Sequence, residues 1–283
     1  NEPLGDFFAV QESLANHVVS ALSIELSDEQ RSRLARHDTV DPEAWRLYLN
    51  GRYHWNRKTE DGFLRAIEDF EKAASRDPAF ALPYAGLADA MAVLAVFNLR
   101  PPAVAFPRAR SAARRAIELD DQLAEAHASL GHVATQFDRD WREGERLYRL
   151  ALDLRPSYAQ AVMWLANSHL MQGRIPEALS EARQAQLLEP MSLSFAANVG
   201  MVLSYAGRLD AAYEQLSGLV EAAPEAALPR HHLARVHIYR HEPEQALRLL
   251  EGFSARAPGS LSNLGRAYAL AGRTDAARAE IAR

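Results

Sequence analysis

The chain has 283 residues, 48% of them apolar and 24% charged, a content of leucine, alanine and valine too high for a disordered polymer and sufficient for a long core. A net charge of −5, with arginines scattered among carboxylates, gives no overall attraction to nucleic acid or to an anionic membrane. The lack of cysteine excludes disulfides, thiol nucleophiles and thiolate metal sites, and no apolar run reaches the length of a membrane helix.

Residues 6 to 26 read as an amphipathic helix that Asp6 can cap, with Phe7, Val10, Leu14, Val18 and Leu22 along one face. Ser27 with Gln30 forms a capping box for a second short helix ending near Arg36. Asp41 followed by Pro42 is an N-cap with proline at the first helical position, and a repeat array opens there. Farther along, Pro156, Pro190, Pro224 and Pro258 stand 34 residues apart, with small and large apolar residues in matching order between them. A fixed period of that length with helical apolar spacing predicts one helix-turn-helix unit per period, each able to bury its apolar face only by stacking on its neighbours. The expected fold is therefore an all-α solenoid, with function on an open surface.

From about Glu43 onward the units resemble the tetratricopeptide repeat. Gly51, Ala66, Phe70, Ala73 and Pro78 carry the likeness in the first unit, and Tyr84, Leu87, Ala88, Ala109, Ala113 and Ala116 in the second. His127, Leu130, Gly131, Tyr148, Ala151 and Pro156 follow in the third, and Leu165, Ala166, Gly173, Ala178, Ala185 and Pro190 in the fourth. Val199, Gly200, Gly207, Ala212, Leu216 and Pro224 mark the fifth unit, then Leu233, Ala234, Ala246 and Leu250 the sixth. A seventh, with Leu264, Gly265, Tyr268, Gly272 and Ala277, starts about three residues early. The expected division is N-terminal helices over 1–42, then seven repeats over 43–78, 79–121, 122–156, 157–190, 191–224, 225–257 and 258–283. Small residues are expected where paired helices approach too closely for anything larger than a methyl, so leucine at Gly200 or Ala234 should disrupt the stack. A repeat array hides its last apolar face under a cap, so a further segment after Arg283, or packing of that end on a second copy, is expected. The opening Asn1 reads as the start of an excised portion of a longer protein.

Three departures from the period mark candidate functional loops. The turn from Asn56 to Gly62 is about three residues long for its place, Phe137 to Trp141 holds one extra residue, and about nine extra lie around Phe97, Leu99, Pro101, Pro102 and Phe106. That last insertion reads either as a loop folded back on its own repeat or as a flap toward a partner. The chain has no phosphate loop, dinucleotide fingerprint, nucleophile elbow or zinc-protease helix, which argues against catalysis. His231, His232, His237 and His241 crowd together, but with no thiolate or carboxylate at ligand spacing they read as packing and turn residues, and neither metal nor cofactor is expected. Arg108, Arg110, Arg114 and Arg115 read as a solvated helix face, and Trp45, Tyr48, Tyr53 and Trp55 as core.

In tetratricopeptide proteins the first helices line the concave side of a right-handed superhelix, where extended peptides bind. The resemblance implies a groove lined by Gln160, Met163, Asn167 and Met171 of the fourth unit, Asn198, Met201 and Tyr205 of the fifth, and His232, Arg235 and Tyr239 of the sixth. Paired lysines of the chaperone-tail receptors are missing, since Lys58 and Lys72 are the only lysines. A narrower likeness lies in residues 8–12, 41–45, 47–57 and 66–70, which is similar to the repeat region of bacterial TolB-like and CadC-like transcriptional regulators and of adenylate cyclase-associated repeat proteins. It implies that residues 1 to 27 end a TolB-like segment and that an output domain stands upstream. The expected role is non-catalytic protein interaction or sensing within a bacterial regulator, the partner being a protein segment in the groove, with self-association through the last repeat as an addition. Direct nucleic-acid binding and a membrane span are not expected. The rivals are a substrate-presenting region of a larger cyclase, kinase or glycosyltransferase, and a free-standing scaffold. Compartment stays open: the cytoplasm is favoured, and the periplasm applies if a transmembrane segment lies upstream.

Overall fold

The computed structural model describes residues 39, 41–97, 99–251 and 260–281. The expected helices over 6–26 and to Arg36, and Pro258, lie outside the described residues. Within them the chain forms seven antiparallel helical hairpins and no strand. In chain order they are α1 (Pro42–Asn56) with α2 (Glu60–Arg76), α3 (Ala81–Val96) with α4 (Pro102–Leu119), and α5 (Ala124–Val133) with α6 (Trp141–Leu154). Next come α7 (Ala159–Met171) with α8 (Ile175–Leu188), α9 (Leu193–Tyr205) with α10 (Leu209–Ala222), α11 (Ala227–Tyr239) with α12 (Pro243–Leu250), and α13 (Ser260–Leu270) with α14 (Thr274–Ile281).

Local chemistry sets the helix ends. The Asp41 carboxylate accepts hydrogen bonds from the Glu43 and Ala44 amides at 2.9 and 3.1 Å, which satisfies donors that the first turn of α1 leaves open. Pro156, Pro190 and Pro224 each stand two residues beyond the last residue of a second helix, where a residue that cannot continue the helix ends it. The hairpin turns share a left-handed residue, Arg139, Gly173, Gly207 and His241, at intervals of 34, and Gly272 repeats it in the seventh hairpin. Glycine adopts that conformation freely, while arginine and histidine there carry a steric cost.

Every first helix packs on the first helix of the next hairpin, from α1 through α13, whereas no two second helices touch to a comparable extent. Closely spaced first helices and splayed second helices bend the stack, with the first helices inside the curve. The core runs continuously through the stack. Phe70 is fully buried between two first helices, and a methyl added at Gly51 or Gly86 would lie 2.5 or 2.6 Å from its ring. Gly200 opens the same kind of slot for fully buried Leu216. Each such large side chain contributes roughly 1.5–3 kcal/mol of burial.

The extra residues lie mostly within helices rather than in loops. The long turn expected from Asn56 to Gly62 is only residues 57–59, because the Thr59 hydroxyl accepts from the Gly62 amide at 3.1 Å and starts α2 at Glu60. In the second hairpin α3 and α4 reach 16 and 18 residues, against 13 and 14 in α7 and α8. Phe97 and Leu99 fold back on the core of the first hairpin, and buried Phe106 stacks on Phe137 at 5.1 Å, so the insertion is no free flap. The single extra residue of the third hairpin widens the end of α5 into a π-turn over Ala134–Asp138, the usual accommodation of one added residue in a helix. Trp55 and Tyr48 are core as expected, but Tyr53 is 66% exposed because Ala44, Tyr48, Gly51 and Trp55 already define the buried face of α1.

Candidate binding surface

The ten residues expected on the concave side all lie on α7, α9 and α11, and most form columns with a 34-residue step. Met171, Tyr205 and Tyr239 make one column, and Asn167, Met201 and Arg235 make another. Tyr205 and Tyr239 meet edge to face at 6.3 Å between ring centroids. The Arg235 guanidinium lies over the Tyr205 ring at 4.8 Å, donates to its hydroxyl at 3.1 Å, and donates through the other nitrogen to His232 Nδ1 at 2.5 Å. Burial, with Arg235 and His231 close by, holds the His232 imidazole well below its ordinary range, so the ring is neutral and can accept that bond. Asn198 Nδ2 donates to Asn167 Oδ1 at 2.8 Å, linking α9 to α7.

These residues do not all stand at the surface. Asn198, His232 and Arg235 are more than nine-tenths buried and form a polar floor, Met163 and Met201 are half-buried, and Met171 and Tyr205 are exposed. Asn198 Oδ1 and Arg235 Nε are buried without a hydrogen-bond partner, a cost of about 1–3 kcal/mol for each such group. Gln160 separates from the other nine and lines a cleft of about 1220 Å³ between the α1–α2 turn and the segments that lead into α9 and α11. Sequence reading missed that cleft, since its walls lie more than a hundred residues apart. Lys58, one of two lysines and left-handed at φ 52°, was its one local signal.

The remaining candidates are bound up in packing. His237 Nδ1 pairs with Glu242 Oε2 at 2.6 Å, and His241 occupies the left-handed turn position. Among the described residues no three histidine or carboxylate groups converge as a metal ion requires. Arg108, Arg110 and Arg115 are engaged by Glu71, Asp138 and Glu118. Among the described residues no helix is long and apolar enough to cross a membrane.

No protein-family model matches the sequence. The chain is 25% identical over 144 residues to the transcriptional regulator HilA of Salmonella typhimurium, a match covering 51% of this chain and 26% of HilA. The chain thus spans about a quarter of the length of the curated relatives it matches. Among solved structures, a thermophilic tetratricopeptide repeat protein of Thermus thermophilus superposes with a TM-score of 0.55 at 17% identity, over 68% of this chain and 98% of that one. IFIT1, solved with Gppp-AAAA, superposes at 0.67 and 18% identity over 97% of this chain and 62% of its own. A repeat protein from Parabacteroides merdae gives 0.55 at 12% identity, over 85% and 91%.

Proposed function

We propose that this tetratricopeptide-repeat solenoid is a protein-interaction region that holds an extended protein segment along its concave side. The carrying observation is the run of aromatic and amide side chains over three consecutive first helices, from Asn167 and Asn198 to Tyr205, Arg235 and Tyr239. An extended peptide offers alternating N–H and C=O groups, which suit an asparagine acceptor and a guanidinium donor still lacking partners. Tyr205, half exposed above Arg235, is the side chain whose displacement opens that floor. Tyrosine and arginine dominate interface energetics, and the thioethers of Met163, Met171 and Met201 adapt to varied side chains. The reading as the non-catalytic sensory or interaction part of a bacterial transcription or signalling regulator draws support from the match to HilA. In that setting, binding at the concave side alters an attached effector domain.

Peptides selected from a displayed library on the purified chain test the reading. A selected peptide is expected to lose at least tenfold in affinity for the double variant Met163→Glu, Tyr205→Ala, with the helical circular dichroism of the chain unchanged. Equal affinity for both proteins would place the binding surface elsewhere.

A further inference from the structure

The cleft beside Gln160 has chemistry that the concave groove lacks. Its interior carries Arg52 on α1 and Lys58 in the α1–α2 turn. Among the described residues neither cation has a carboxylate within salt-bridge distance, and the Lys58 ammonium rests instead on the Trp55 ring at 4.0 Å. Arg46, Arg76, Arg110, Arg146 and Arg155, by contrast, each pair with a carboxylate. The acidic residues at the cleft, Glu60, Asp61, Glu189 and Glu225, are exposed at its rim, and Asp61 is held by Arg57 and Arg65.

The one interior carboxyl is Asp89 on α3, buried and hydrogen-bonded by the Ser129 hydroxyl. Burial pushes its acid up to about 7, against the smaller opposing pulls of Ser129, Arg52 and Lys58, with Glu125 adding to the rise. It is therefore about half protonated at pH 7 and offsets only part of the charge of the two cations. Burial, with repulsion from Arg52, brings the Lys58 ammonium down to about 8, while Asp89 and Glu189 act the other way. Asp89 and the more distant Glu125, itself paired with Arg155, favour the Arg52 charge, but the two desolvated cations still face one partly ionised interior carboxyl, a shortfall of negative charge that a bound anion would fill, since a buried charge is costly until paired. Trp55, Phe63, Phe97, Leu99 and Phe195 give the same space an apolar and aromatic part, beside polar side chains such as Asn56, Thr59, Gln160 and Ser194. An aromatic wall with convergent polar groups, in a volume somewhat above the usual range for small-molecule sites, makes room for a ligand rather than a packing gap.

We infer that this cleft binds a small amphipathic anion, a carboxylate or phosphate on an apolar body, with the anionic group between Arg52 and Lys58 and the body against Trp55, Phe97 and Phe195. Its walls belong to the first two hairpins and to the segments at the starts of α7, α9 and α11, so an occupant clamps distant repeats together and fixes the curvature of the array. The site shares only Gln160 with the concave candidates, so its test and the peptide test fail independently.

Isothermal titration with 2-naphthoate and 1-naphthyl phosphate provides that test, with neutral 2-naphthol and cationic 2-naphthylmethylammonium as comparisons. Both anions are expected to bind at least tenfold more tightly than either comparison, and the ratio between them tells carboxylate from phosphate preference. Arg52→Gln and Lys58→Gln should each remove most of that preference while leaving 2-naphthol unaffected. Affinity for the wild type should fall as pH rises from 6.5 to 8.5, as Asp89 ionises and Lys58 loses its proton. Lys72→Gln, on the exposed face of α2, should behave as wild type. Equal binding of anion and neutral probe, or anion binding untouched by both Arg52→Gln and Lys58→Gln, would overturn the inference.

Discussion

The interlock of Gly200 with Leu216 gives the sharpest test of how the stack is held. A methyl at Gly200 would sit 2.4 Å from Leu216 Cγ and 2.7 and 2.9 Å from its two methyl carbons, where about 3.5–4 Å is the optimum. Leu216 is fully buried, so it cannot turn aside without parting α9 from α10. Overpacking costs about 1–3 kcal/mol, and three simultaneous overlaps put this case near 3. Replacing glycine inside a helix returns about 1 kcal/mol. Gly200→Ala is thus expected to destabilise by about 2 kcal/mol. Leu216→Ala alone should cost about 2–5 kcal/mol. With Leu216 already truncated the overlap is gone, so adding Gly200→Ala should stabilise by about 1 kcal/mol, a coupling of about 3 kcal/mol around the cycle. Urea unfolding of the four proteins, followed by circular dichroism and fitted with a nearest-neighbour repeat scheme, measures it, because arrays need not unfold in one step. A cost for Gly200→Ala that is the same with and without Leu216 would refute the interlock.

Other consequences concern charge and backbone. Burial drives the His132 imidazole, stacked on Trp164 at 4.4 Å, down to about 3. The unfolded chain takes up that proton first as pH falls below 6.5, so stability drops toward pH 3, by roughly 3 kcal/mol at pH 4. His132→Phe keeps the stack and should flatten that part of the pH–stability curve. Asp89 has the opposite sign: its acid is raised to about 7, so the unfolded chain ionises first and stability falls between about pH 4 and 7. Asp89→Asn should remove that slope and stabilise by up to roughly 4 kcal/mol at pH 8, measured by denaturant unfolding at both pH values. His241→Gly relieves a left-handed histidine at φ 59° and should stabilise by about 1 kcal/mol, while Gly207→Ala should cost a similar amount. Equal midpoints for His241→Gly and wild type would contradict this.

The hairpin stack was legible because its determinants are local and recur: Ala178, Ala185, Ala212 and Ala246 are all fully buried at the positions the period assigns. The caps were legible for the same reason, as Asp41 shows. Length excess was read less well. Counting residues shows that a unit is long, but an α-helix extends as cheaply as a loop when Ala and Leu fill it, as in α3. At the binding surface the period located the columns but not their depth, because Asn198, His232 and Arg235 are covered by neighbours from adjacent repeats. The cleft was illegible for a geometric reason. It exists only after the small rotation of each layer has accumulated over several hairpins, and no short segment encodes that sum.

The widened turn at Ala134–Asp138 has a bearing on that sum. One residue inserted in an ordinary α-helix advances everything beyond it by about 100° around the axis. Here the additional residue is swallowed inside its own hairpin, and the left-handed turn residue at Arg139 still stands 34 before Gly173. The bulge works as an expansion joint: it absorbs a change in chain length while the layers on either side keep their angular setting. The two walls of the cleft lie on opposite sides of this joint, so the meeting of Lys58 with the residues before α9 depends on the bulge keeping the array in phase.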